Sequence, residues 1–187
     1  FPNYHDTFTV PLIELAKKLA QICPGDLDVS FFVNSGSEAN ETALKMALQY
    51  HWERGERERK KIVARRFSYH ATTLGGTSVT GIPWFRELFE PLLPNVRFAV
   101  SAQCSHCELD LHPSTCGIMC LKSLQSMIEW EGPGSVAAVI LDPLPGSNVG
   151  YPLPPDGYLE GLRAFCDKHG ILIIYDEIQT GFGKTGK

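Results

Sequence analysis

The chain has 187 residues, 43% of them apolar and 20% charged, and a net charge of −4. That is enough chain for one sizeable core and an ordinary globular composition. The charge balance points to neither nucleic acid nor an anionic membrane surface. No apolar run approaches transmembrane length and no signal peptide opens the sequence, so a cytoplasmic location is expected. The six cysteines (Cys23, Cys104, Cys107, Cys116, Cys120 and Cys166) need not be bridged in such a chain. The first residue is Phe1 and the last, Lys187, directly follows a motif. Both ends read as cuts in a longer protein.

Residues 1–30 open with an irregular apolar stretch. Leu12, Leu15, Ala16, Leu19, Ala20 and Cys23 then fall at helical spacing before Pro24-Gly25, which predicts an outlying amphipathic helix. Residues 31–187 read as the main domain. Phe31 to Val33 predicts a short strand, and NSGSEAN then leads into a helix ending near Gly55, with Ala39, Ala43, Met46, Ala47 and Tyr50 on one face. Ser35 and Glu38 fit a capping box. A Ser/Gly-rich turn at a helix start also gathers free N–H groups and the positive end of the helix dipole, an anion site for Ser35, Gly36 and Ser37. On this turn alone, a capped helix with no ligand is the preferred reading, because capping boxes are common.

ERGERERKK is a solvated helix end before a strand at Ile62 to Ala64. Tyr69 and His70 follow, and then Gly75, Gly76 and Gly81 among small residues. A tyrosine in that place either covers a flat ring by stacking or packs in the core, and a lone histidine is commonly structural. Further on, Cys104-x2-Cys107 and Cys116-x3-Cys120, with His106 and His112, have the look of metal-ligand spacing. The second pair lacks the tight C-x2-C form, so the preferred reading is a substrate-side loop with buried free thiols and no metal.

IMCLKSLQSMIEWEG is a predicted helix and VAAVIL a strand ending in Asp142-Pro143. A long Pro/Gly loop follows, too irregular for regular structure and therefore expected to be functional. A helix with Asp156 near its start stops at Gly170. Ile171 to Tyr175 is a continuous apolar run, predicted to be a strand buried on both faces, and it runs straight into Asp176 and Glu177. The resulting β-α-β unit places Asp142 and Asp176 on one rim of a parallel sheet, the carboxyl-end rim where open α/β sheets bind ligands. A carboxylate there needs a cation or several donors; equally, a strand-end aspartate caps the following turn.

An anion cradle, an aromatic and a buried carboxylate on one rim suit a ligand with a phosphate, a flat ring and a protonatable nitrogen. Pyridoxal 5'-phosphate is such a ligand, its ring nitrogen kept protonated by the acid. FFVNSGSEANETALK, SYHATTLGGTSVTG and YDEIQTGFGKTG, in that order, resemble the class III aminotransferases of fold type I, over essentially the whole chain. The Cys-containing segment and EGPGSVAAVI...PPDGYL look most like the omega-amino-acid branch. The resemblance implies a three-layer α/β fold with a mostly parallel central sheet and helices on both faces, and a small C-terminal domain absent from this chain. It implies that Gly36 and Ser37, with Ser35, hold the cofactor phosphate. Tyr69 would stack on the ring with His70 beside it, Asp176 would pair with the ring nitrogen, Ile178 would pack on the other face and Gln179 would lie near the ring oxygen. A homodimer is implied, as is amino transfer from an amino acid or amine to an oxo acid.

Three positions depart from the family pattern: Asp142 stands for the usual glutamate, Ala71 for a glycine and Lys184 for an arginine. The family's Schiff-base lysine lies beyond Asp176 by a few tens of residues, so the chain ends before it. Neither Lys184 nor Lys187 is expected to replace it, and the chain alone is expected to lack normal turnover. The rival readings are another class III chemistry (aminomutase, decarboxylase or racemase) and a non-catalytic metal- or phosphate-binding domain built on the Cys104–Cys120 loop.

Overall fold

A computed structural model describes residues 8–146 and 148–186. The chain divides into two compact units, Phe1–Asn34 and Ser35–Lys187. The irregular opening expected over 1–7 lies outside the described residues, as does Lys187. In the first unit, helix α1 runs Val10–Ile22 as its periodicity predicts, with a proline in its first turn, where a missing N–H costs nothing. It buries none of its residues. The strand expected at Phe31 to Val33 is not formed. An apolar run becomes a strand only with a partner, and none of the described strands pairs with this one, which leaves Phe31 60% exposed.

The second unit is a four-stranded, wholly parallel sheet in the order β2-β1-β3-β4. Strand β1 is Lys61–Arg65, β2 is Val96–Ala99, β3 is Val136–Leu141 and β4 is Leu172–Tyr175. Every residue of β3 is buried, and the strand feeds both faces. Val136, Val139 and Leu141 join one core with Leu121, Leu124 and Ile128 of helix α4 (Met119–Glu131) and Leu162 and Phe165 of helix α5 (Tyr158–His169). Ala138 and Ile140 join the other with Leu44 and Ala47 of helix α2 (Gly36–Glu53) and Val79 of the short helix α3 (Leu74–Val79). Two cores on opposite faces make the three-layer α/β arrangement with helices on both faces.

Three sequence readings are corrected here. The run ending in Asp176 is not an inner strand of the described sheet. Strand β4 lies at its edge, Leu172, Ile173 and Ile174 are half-buried and Tyr175 is 39% exposed. A continuous apolar run reports two covered faces, and says nothing of whether both backbone edges are paired. Strand β2 was not anticipated, because four residues close after Pro94 are too short to show a period. The buried face of α2 is Asn40, Leu44, Ala47 and His51, a quarter-turn from the one expected, since two of its members are polar. His51 earns its burial with bonds at both ring nitrogens, to Glu56 Oε2 at 2.7 Å and to the Ala137 carbonyl at 2.9 Å.

The β3–α5–β4 unit falls as predicted. Gly170 ends α5 in the left-handed conformation, and Leu141 pairs with Tyr175. The next residues, Asp142 and Asp176, therefore leave adjacent strands side by side, and the Asp176 N–H donates to the Leu141 carbonyl at 2.8 Å.

The turn after β1 and the turn after α3 are tied together: the Gly81 N–H donates to the Ser68 carbonyl, and the Phe67 N–H to the Gly81 carbonyl. A methyl group at Gly81 would lie 2.0 Å from the Arg65 carbonyl oxygen and 2.8 Å from Arg66 Cα, both rigid backbone. Gly81→Ala is expected to destabilise the fold by about 1–3 kcal/mol in urea unfolding. Gly134→Ala, with nothing within 4 Å of the new carbon, should change it by less than about 0.5 kcal/mol.

Candidate functional site

Asp176 sits at the C-terminal end of β4 and is 8% exposed. Its Oδ2 accepts from Asn40 Nδ2 at 2.9 Å and pairs with His70 Nδ1 at 2.9 Å; its Oδ1 accepts from the Ile178 N–H at 3.2 Å. Burial, the largest influence, pushes this carboxyl up. The hydrogen bonds from His70 and Asn40, the charge of His70 and the Ile178 N–H together outweigh it and leave the group below its ordinary range. The acid is thus held ionised in a place that disfavours charge. A carboxylate offers roughly four acceptor directions; the donors named here leave one on Oδ1. His70 Nε2 is buried with no hydrogen-bond partner among the described residues, a second unused polar atom beside the acid.

Helix α2 supplies Asn40, and its first turn supplies the rest of the site. Ser35 is the N-cap, its Oγ accepting from the Glu38 N–H at 3.2 Å. The Ala39 N–H bonds the Ser35 carbonyl, so the helix's own ladder leaves the N–H groups of Gly36 and Ser37 to an outside acceptor. Ser37 Oγ accepts from the Thr72 N–H at 3.2 Å and meets Thr72 Oγ1 at 3.3 Å. A carbon added at Gly36 would sit 3.5 Å from Ile178 Cδ1, so the helix start adjoins the turn after Asp176. Asn40 lies four residues beyond Gly36, about 6 Å along the axis. Its Nδ2 also donates to the His70 carbonyl at 2.6 Å, which fastens the histidine's backbone to the same amide that holds the acid.

The remaining expected residues fall as follows. Tyr69 is half-buried, its ring set edge-on to Phe85 with centroids 5.4 Å apart. Ile178 is 69% exposed. The Gln179 amide packs over the Gly146 backbone, where an added carbon would meet Nε2 at 2.7 Å; this ties the turn after Asp176 to the long Pro/Gly loop. Ile178, Gln179, Thr180 and Lys184 share an open recess with Leu144 and Tyr151. Asp142, the other rim acid, pairs with buried Arg65 at 2.9 Å and accepts from Ser68 Oγ at 2.6 Å.

Sequence reasoning missed Asn40, Thr72, Arg65 and Ser68. For Asn40 a signal existed: an amide at the helix face shared by Leu44, Ala47 and His51 must find partners when buried. Thr72 carried none.

A family model described as aminotransferase class-III matches residues 3–187. The chain is 42% identical over 180 residues to an omega-aminotransferase of Caulobacter vibrioides, covering 92% of this chain and 39% of that one. It is 39% identical over 178 residues to an adenosylmethionine-8-amino-7-oxononanoate aminotransferase of Nitratidesulfovibrio vulgaris, covering 94% of this chain and 33% of the relative. An omega transaminase of Pseudomonas jessenii, solved in complex with PMP, superposes with a TM-score of 0.92 at 34% identity over 100% of this chain and 41% of that one. The chain therefore spans about a third to two-fifths of the length of the proteins it matches. With the family model matched from residue 3 to residue 187, the chain belongs to the class-III aminotransferases.

Proposed function

We propose that this chain is the cofactor-holding part of a pyridoxal-phosphate-dependent transaminase that moves an amino group from an amino acid or amine to an oxo acid. The observation that carries the reading is the single helix turn joining two unlike sites. At Gly36 and Ser37 it offers outward N–H groups, and at Asn40 it holds an ionised, buried acid. The spacing suits one small molecule with an anion at one end and a cation at the other. The pyridine ring and phosphate arm of pyridoxal phosphate meet that demand, and the relative from Pseudomonas jessenii carrying PMP supports it.

In this reading the N–H groups of Gly36 and Ser37, with the Ser35 and Ser37 hydroxyls, grip the phosphate. Asp176 keeps the ring nitrogen protonated through its remaining acceptor direction. His70 and Asn40 are positioning residues that hold the acid ionised. Tyr69 and Ile178 cover the two ring faces and exclude water, and Gln179, braced on Gly146, serves the ring oxygen. When bound, the cofactor supplies an electron sink for the pair released as a bond to the substrate's reacting carbon breaks. The reading further includes a homodimer and a cytoplasmic location. The resemblance supports the first, while six free cysteines and the lack, among described residues, of any helix long and apolar enough to cross a membrane agree with the second.

Asp176→Asn in the full-length protein is expected to lower kcat/KM for amino exchange by about 10²–10³-fold, the size of one lost preorganised electrostatic contact, and to weaken cofactor retention. Wild-type turnover in Asp176→Asn would end the proposal. Because the folded carboxyl lies below its unfolded value, its stabilisation is fully present above about pH 4 and is lost as pH falls through the lowered value. Asn40→Ala removes one of the bonds that lower it, so the acid limb of both stability and activity should move to higher pH; an unmoved limb assigns Asn40 a merely structural part.

Borohydride reduction of the full-length holoenzyme followed by peptide mapping should place the covalently fixed cofactor on a lysine outside residues 1–187. Label on Lys184, which shares the recess of Ile178 and Gln179, would instead make that residue the cofactor's lysine.

A further inference from the structure

The two turns that flank the proposed ring site leave strands that do not pair with each other. Tyr69 and His70 follow β1, Ile178 and Gln179 follow β4, and β3 lies between the two strands. Neighbouring strands stand about 4.8 Å apart, so roughly 10 Å of sheet separates the two strand ends. The His70–Asp176 pair is one tie between the turns. The long Pro/Gly loop that leaves β3 is a second, and it touches both sides. At its start Asp142 Oδ1 accepts from Ser68 Oγ at 2.6 Å, and Ser68 is wholly buried. Further along, Asn148 Nδ2 donates to the Phe67 carbonyl at 2.7 Å. Between these contacts the Gly146 backbone meets Gln179: a carbon added at Gly146 would lie 2.7 Å from Nε2 and 3.0 Å from Oε1. The loop is itself folded on that glycine, whose carbonyl accepts from the Val149 and Tyr151 N–H groups at 3.1 and 3.4 Å. Phe67 is left-handed, with φ of 64°, where a residue with a side chain stays only if its surroundings hold it. Its N–H donates to the Gly81 carbonyl and its own carbonyl accepts from Asn148, so the peptide groups on both sides of it are fixed.

We propose that the loop leaving β3 is a brace that sets the width of the slot for the pyridoxal ring, with Ser68 and Asn148 as positioning residues for Tyr69, and Gly146 as the support for Gln179 and its neighbour Ile178. The brace presupposes that the site takes pyridoxal phosphate, as proposed for its function. Width matters because contact attraction is short-ranged: a gap of about 0.5–1 Å between two surfaces forfeits about a quarter to a half of it. Ser68 Oγ is bonded to Asp142 and Asn148 Nδ2 to a backbone carbonyl, so both act on the ring through the turn that carries Tyr69. Asp142 is a firm anchor for that turn, since Arg65 Nη2 donates to its Oδ1 at 2.9 Å and also to its backbone carbonyl. A loop that merely connected β3 to α5 would need none of these contacts with the turns after β1 and β4.

The test uses the full-length protein, stripped of cofactor and titrated with pyridoxal phosphate. Cofactor Kd and the circular dichroism of the bound cofactor's visible band are read beside the Tm of the cofactor-free protein. Asn148 is exposed, so Asn148→Ala should leave that Tm unchanged. It should weaken cofactor binding by about 2–10-fold, the size of one hydrogen bond, and alter the dichroism, which reports how the ring is seated. Ser68→Ala, which strips a donor from a buried acid, should weaken binding at least as much. Both effects should pass through Tyr69: in a Tyr69→Ala background, Asn148→Ala should bring no further loss. Unchanged Kd and dichroism in Asn148→Ala, or a loss that persists undiminished without the Tyr69 ring, overturns the brace, and uptake of pyridoxal phosphate by the wild-type protein then leaves the reading of the site standing. Wild-type protein that takes up no pyridoxal phosphate overturns both. The Asn148 readouts do not depend on how Ser68→Ala folds.

Discussion

The hydrogen bonding of one buried carboxylate governs the arrangement of the second unit. Moving Asp176 out of water costs several kcal/mol, and the structure meets that cost from three directions at once: a helix (Asn40), the turn after β1 (His70) and its own following turn (Ile178). Hydrogen bonds to a charged group contribute about 1.5–3 kcal/mol each, so three of them suffice to keep the acid ionised. They also fix position. The Asn40 amide cannot reach both the acid and the His70 carbonyl unless α2, β1 and β4 sit in one register. The parallel sheet provides that register, because Leu141 against Tyr175 determines where β4 releases Asp176.

Much of this was legible in the sequence where local chemistry decides the outcome. Strand β3 and helices α4 and α5 emerge from unbroken apolar runs and from glycine and proline stops at Gly132-Pro133 and Gly170. The Ser35 cap is visible because it needs only its neighbour three residues on. Illegible features were those set by partners distant in sequence. Phe31 to Val33 has strand composition and no strand, and β4 has inner-strand composition at an edge, since pairing is a property of two segments and composition of one. The buried face of α2 was misjudged because Asn40 and His51 look like surface residues until Asp176, 136 residues from Asn40, and the Ala137 carbonyl, 86 residues from His51, are seen to hold them.

The same reasoning applies to the cysteine loop, whose sequence reads as a substrate-side loop with free thiols and no metal. Spacing offered six ligand candidates, four sulfurs and two imidazoles. The structure leaves His106 and His112 exposed and lines one small cavity with the four half-buried sulfurs, and among the described residues no three His, Cys, Asp or Glu side chains are placed to hold a metal ion. The left-handed pair Gly117-Ile118 lies between the last two cysteines, and nothing in the residue type of Ile118 announces it.

Two acids leave adjacent strands at one rim, and their partners decide their roles. Asp142 meets a full cation: Arg65, itself buried, neutralises it, and Ser68 occupies the same oxygen. Its charge is spent inside the protein. Asp176 has no lysine or arginine ion pair among the described residues. Two of its donors, an amide and a backbone N–H, are neutral, and only its imidazole partner can carry charge. The two neutral donors keep the carboxylate ionised without cancelling it. Of two neighbouring acids in equivalent positions on the sheet, only Asp176 retains negative charge to offer a ligand, and the outward N–H groups of the α2 start lie beside the turn that follows it.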